Sequence, residues 1–106
     1  MWYLVDSGQG KAIGQAGGLE GRIAWPAVQD YIVGLTYNIY YGGINENPDT
    51  YNFRLVAAIY DPSGLIIGSG EKQQTLTKSQ QMSLTIQLTP LAEGAYTTSA
   101  EFYVWI

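Results

Sequence analysis

Tyr51-Asn52-Phe53-Arg54-Leu55-Val56-Ala57-Ala58-Ile59-Tyr60 runs directly into Asp61-Pro62-Ser63-Gly64. Tyr51, Phe53, Leu55, Ala57 and Ile59 recur at every second position, with Asn52 and Arg54 opposite them. Side chains alternate across a β-strand, so this run reads as a strand with one apolar face. The tetrapeptide after it places Asp first, Pro second and Gly last, the preference of a type I turn. The chain is therefore expected to turn back into a short strand over residues 65–67.

The same alternation recurs on both sides of this segment. Over residues 31–41, Tyr31, Val33, Leu35, Tyr37, Ile39 and Tyr41 share a face opposite Thr36, Asn38 and Tyr40. Met82, Leu84, Ile86 and Leu88 alternate with Ser83, Thr85 and Gln87, and Tyr96, Ala100, Phe102, Val104 and Ile106 alternate with Thr97, Ser99, Glu101, Tyr103 and Trp105. One apolar face per strand predicts antiparallel sheets packed face to face. No stretch carries apolar residues at helical spacing. Residues 72–84 hold several helix formers in a row, but Thr75, Thr77, Ser79 and Ser83 make that segment a loop with strand starts. The expected fold class is all-β, an antiparallel sandwich of six to seven strands.

Composition narrows the function more by exclusion than by assignment. The 106 residues suffice for one domain with a sizeable core. Only 13% are charged, against about 25% in a typical globular protein, and nine acids against five bases leave a net charge of −4. That balance opposes a basic nucleic-acid binder. The chain has no histidine and no cysteine. Disulfides, Cys/His zinc sites and His-dependent nucleophilic catalysis are therefore excluded. No apolar run approaches the roughly 18 residues of a membrane-spanning helix. Met1-Trp2-Tyr3-Leu4-Val5-Asp6 has neither a basic stretch nor a long apolar core, so no secretory signal is expected.

The beginning of the chain differs from the rest. Gly8, Gly10, Gly14, Gly17 and Gly18 crowd a short stretch behind the apolar Trp2-Tyr3-Leu4-Val5. Residues 1–18 read as a Gly-rich arm and residues 19–106 as the sandwich domain. The segment Ser7-Gly8-Gln9-Gly10-Lys11-Ala12-Ile13-Gly14 fails as a phosphate loop. Its Lys is followed by Ala, and its first Gly is missing.

The order of signals resembles the immunoglobulin-like β-sandwich, in the broad group of fibronectin type III and cell-adhesion-related modules. The resemblance rests on an opening strand Ile23-Ala24-Trp25, a long strand over 31–41, a second over 51–60 closed by Asp-Pro-Ser-Gly, a short strand, a polar strand over 82–88, and Leu91-x-x-Gly94-x-Tyr96 opening the last strand. It implies that Tyr96 forms a tyrosine corner, its hydroxyl bonded back to nearby backbone. The immunoglobulin cysteine pair is absent. The pattern also calls for a strand after the one beginning near Tyr96, yet no turn signal falls between Ala95 and Ile106. Two readings follow: one long final strand in a complete sheet, or a sandwich lacking its last strand, with an open edge beside residues 96–106. An open apolar edge needs a cover. Residues 2–5 are a strand-sized candidate, either from the same chain or by strand addition from a neighbour.

No catalytic, cofactor or metal residue is assigned. Most of the nine carboxylates fall in turns, and no pair suggests glycosidase chemistry. Asn45, Glu46, Asn47 and Asp49 offer oxygens to calcium, but the EF-hand pattern is absent and a solvated turn is the expected reading. The nine Tyr, three Trp and two Phe are more telling. Tyr40, Tyr60, Tyr103 and Trp105 fall opposite the core faces, where aromatics anchor protein interfaces, stack on sugars or are merely half-buried. Trp2, Tyr3, Leu4, Val5, Tyr103 and Trp105 form the candidate interface. The expectation is a non-enzymatic structural protein that partners with protein, as a homo-oligomer or part of a larger assembly. Virus particles often use such sandwiches, so a capsid-decorating or tail protein in the virion, or a filament subunit, is expected; the alternative location is the cell surface or outside the cell. The alternative function is a small carbohydrate-binding module. Neither nucleic acid nor a membrane span is expected.

Overall fold

The alternating segments fold into two antiparallel sheets facing each other. The structure is a computed structural model and describes residues 1–8, 11–12, 21–27 and 29–106. In chain order the strands are β1 (Trp2–Ser7), the two-residue β2 (Lys11–Ala12), β3 (Gly21–Ala24), β4 (Tyr37–Asn45), β5 (Tyr51–Tyr60), β6 (Ile66–Leu76), β7 (Gln81–Leu88) and β8 (Thr97–Trp105). One sheet has the order β2-β1-β8-β5-β6 and the other β3-β4-β7. No helix among the described residues is long and apolar enough to cross a membrane.

The alternation decides what is buried. Phe53, Leu55, Ala57 and Ile59 of β5 face Met82, Leu84, Ile86 and Leu88 of β7 across a common core. Phe102 of β8 lies at its centre, fully buried and stacked on Phe53 with centroids 4.9 Å apart. Glycine makes room for that ring: a Cβ on Gly43 would come within 2.4 Å of Phe102, and one on Gly21 within 2.8 Å. The Asp61-Pro62-Ser63-Gly64 turn forms as expected. Asp61 Oδ1 accepts the N–H groups of Ser63 and Leu65, each at 2.9 Å. The tyrosine corner forms too. Tyr96 donates its hydroxyl proton to the Ala92 carbonyl at 2.6 Å and accepts the Ala92 N–H at 3.3 Å.

The strand pairings are compatible with an immunoglobulin-like sandwich. β3, β4 and β7 supply the first, second and fifth strands of that arrangement, and β5, β6 and β8 supply the third, its neighbour and the sixth. The remaining place, beside the sixth strand, is filled from the other end of the chain. β1 pairs antiparallel with β8, from Trp2 opposite Trp105 to Ser7 opposite Glu101. β8 is thus one long strand with a neighbour on each side, β1 and β5. Residues 2–7, assigned by sequence to the arm, are a strand of the larger sheet; residues 9–10 and 13–20 lie outside the described residues.

Two sequence expectations need correction. The strand expected over residues 31–41 begins only at Tyr37. A turn at Val33 and Gly34, with Gly34 at φ +89°, breaks the alternation and leaves Val33 and Leu35 exposed. A positive φ is accessible to glycine and costly for most other residues, so local backbone chemistry overrides the period-two pattern here. The second correction concerns the return after the turn. The expected short strand over residues 65–67, followed by a loose polar return, is instead the eleven-residue β6. Its polar side chains reflect an edge strand that packs one side on β5 and faces solvent along most of its length.

Candidate assembly interface

The β1–β8 ladder gathers all six residues of the sequence-derived interface. Trp2 and Trp105 meet edge to face at 5.3 Å, in an orientation suited to the ring quadrupoles. Leu4 stands opposite Tyr103 and Tyr3 opposite Val104. A bulge follows Leu4, and both Val5 and Asp6 are fully buried. Val5 is therefore a core residue that fastens β1, whereas Tyr3 and Trp105 remain 39% and 47% exposed. Met1 and Ile106 close the ladder with two backbone bonds, of 2.9 and 3.0 Å.

Asp6 is the unusual member of this strand. Its Oδ2 accepts the Ile23 N–H at 2.8 Å, which ties β1 to β3 across the sandwich. Its Oδ1 finds no hydrogen-bond donor among the described residues. A single buried carboxylate cannot perform two-carboxylate hydrolysis, and no group of three metal-binding His, Cys, Asp or Glu side chains occurs among the described residues. Two of the four groups considered for calcium are otherwise engaged. Asn45 Oδ1 accepts from Asn47, and Glu46 pairs with Arg22 at 3.2 Å.

On the outer face of the larger sheet, Tyr103 is held between neighbours. Its hydroxyl donates to Glu101, and the Arg54 guanidinium lies 5.7 Å from its ring centroid. The bond to Glu101, followed by partial burial, pushes the Tyr103 phenol above its usual range. Arg54 in turn forms a two-pronged pair with Glu71 at 2.7 and 3.1 Å. That contact holds the Glu71 carboxyl below the ordinary carboxylate range.

Sequence reading missed a second feature. At the end of the sandwich carrying the β3–β4, β5–β6 and β7–β8 connections, seven aliphatic residues stand exposed: Ile32, Val33, Leu35, Leu65, Ile66, Ile67 and Leu91. Leu91 is 82%, Leu65 65% and Ile32 64% exposed. Gly34 N–H donates to the Pro90 carbonyl at 2.7 Å, which joins two of these loops. The signal was available as aliphatic residues beside the turn residues Gly34, Gly64 and Pro90, but alternation assigned Val33 and Leu35 to the core. The opposite end carries Trp2 and Trp105 beside an open groove of about 540 Å³, lined also by Asn52, Gln73, Gln74 and Thr75. Comparisons with protein-family models, curated proteins and solved structures find no match to this chain.

Proposed function

We propose that this protein is a non-enzymatic structural subunit that assembles with further copies of itself, as a capsid-decorating or tail component of a virion or as a filament subunit. The observation that carries the reading is the cluster of exposed aliphatic side chains at one end of a body 44 Å long and 20 Å across. Exposed apolar side chains gathered at one end favour an interaction site there, because leaving them in water is unfavourable. The low charge density supports the same reading, since little repulsion keeps copies apart. Light scattering over a range of concentrations is expected to show species larger than a monomer. The variant Ile32→Glu/Leu65→Glu/Leu91→Glu, altered only at exposed positions, is expected to stay folded and remain monomeric. A parent chain that stays monomeric at every concentration, or a variant that assembles as the parent does, overturns the proposal.

A second reading has one specific observation behind it. Trp2 and Trp105 beside the amides of Asn52, Gln73 and Gln74 combine an apolar ring surface with hydrogen-bonding groups, the pairing that a sugar requires. Quenching of tryptophan fluorescence by an oligosaccharide, abolished in Trp105→Ala, is the result expected of a carbohydrate-binding module. No response across a broad oligosaccharide panel counts against it.

A further inference from the structure

We infer that β1 is an exchangeable strand: in the assembled state, the place beside β8 is filled by β1 of another copy of this chain. This inference rests on the proposal that the protein self-assembles, and it adds a strand contact between copies to the one made by the apolar end. The occupant is defined by the fit already visible within one chain. The groove beside β8 accepts Val5 against Phe102 and Gly21, Asp6 against the Ile23 N–H, and Trp2 against Trp105. An identical segment from a neighbour satisfies every one of these contacts, so the closed and exchanged forms share the same interface.

Topology makes β1 separable. It is the first strand of the chain and, among the described residues, has only the two-residue β2 outside it in its sheet. Among those residues, removing it breaks no other strand pairing except that of β2 with β1. The sheet β3-β4-β7 and the pairs β8·β5 and β5·β6 are complete without it. Fourteen peptide steps separate Ser7 from Gly21. Fully extended, they span roughly 45 Å, more than twice the 20 Å width of the body. A side-by-side neighbour is therefore within reach. Conversely, a copy whose own β1 has left exposes the β8 backbone edge and the Val5 hole together, and burying both again is the driving force for capture.

The absence of cysteine allows a direct test in the full chain. Leu4 and Tyr103 are register partners, as are Ser7 and Glu101. The double variants Leu4→Cys/Tyr103→Cys and Ser7→Cys/Glu101→Cys are unfolded, refolded at the highest attainable concentration, and oxidised. Circular dichroism of the reduced forms establishes that each retains its β-structure, and the second pair serves if the first does not fold. Exchange is expected to give disulfide-linked dimers and higher multiples on a non-reducing gel, collapsing to the single-chain band on reduction. If assembled protein yields only the intrachain disulfide, exchange is overturned while self-assembly stands. If light scattering shows no assembly at all, both proposals fall.

Discussion

Asn45 shows how much one polar side chain can organise in this fold. It is fully buried at the end of β4, and its Nδ2 donates to the carbonyls of Asp49, Leu76 and Thr77 at 2.8, 3.0 and 3.2 Å. Its Oδ1 accepts the Asn47 N–H at 2.9 Å. One residue thus pins the β4–β5 loop to the end of β6. Replacing it with Ala strands several buried groups and is expected to cost about 2–3 kcal/mol in denaturant unfolding. Asn45→Asp is the sharper probe, because it keeps the shape and turns donors into a carboxylate facing three carbonyl oxygens. That environment raises the carboxyl pKa in the folded state, so the folded form binds the proton more tightly than the unfolded chain. The Asn45→Asp chain is therefore expected to be less stable than the parent at neutral pH, with the gap narrowing as pH falls through the raised pKa. Unfolding curves of both chains across that range check this, and a gap that does not depend on pH refutes the assignment. In the sequence, Asn45 reads as part of a solvated turn, because polarity alone suggests exposure. Only the three converging carbonyls, two of them distant in sequence, reveal its role.

Among the elements, β5, β7 and β8 were legible because each obeys a strict period of two with one side in the core. β6 was not, since Gly68, Gly70 and a run of charged and amide side chains hide a strand whose order comes from its long pairing with β5. The start of β4 was misplaced because Gly34 interrupts a pattern that the side chains alone continue. The strand character of residues 2–5 was legible from their apolar run; their insertion beside β8 follows from an unfilled edge, a property of the whole sheet. These differences in attachment carry a dynamic consequence. β5 is paired along most of its length on both sides, whereas β1 is held by its ladder to β8, a two-residue pairing with β2, Val5 and the Asp6–Ile23 bond. Backbone amides of β1 are therefore expected to exchange with deuterium faster than those of β5, and as a group. Mass spectrometry of peptides covering residues 1–8 and 51–60 reads this directly. Equal protection of the two segments contradicts it.

At the scale of the whole molecule, the sandwich architecture was readable and the distribution of its exposed apolar surface was not. Ile32, Leu65 and Leu91 lie far apart in the chain and converge only because three connections end on the same side. The proposed assembly role rests on that convergence more than on any single motif. The paired backbone bonds between Met1 and Ile106 have an engineering consequence. Two residues that exchange both N–H and C=O groups across antiparallel strands form the closing pair of a two-residue hairpin. Inserting Asn-Gly between Ile106 and Met1, and opening the chain before Leu19, gives a circular permutant in which β1 follows β8 and only the two-residue β2 comes after it. That chain is expected to fold with the native circular dichroism spectrum, and failure to fold shows that the ends are less well aligned than their bonds imply. In it, the strand that now leads the polypeptide becomes the second arm of a β8–β1 hairpin, restoring the linear order of an ordinary immunoglobulin-like domain.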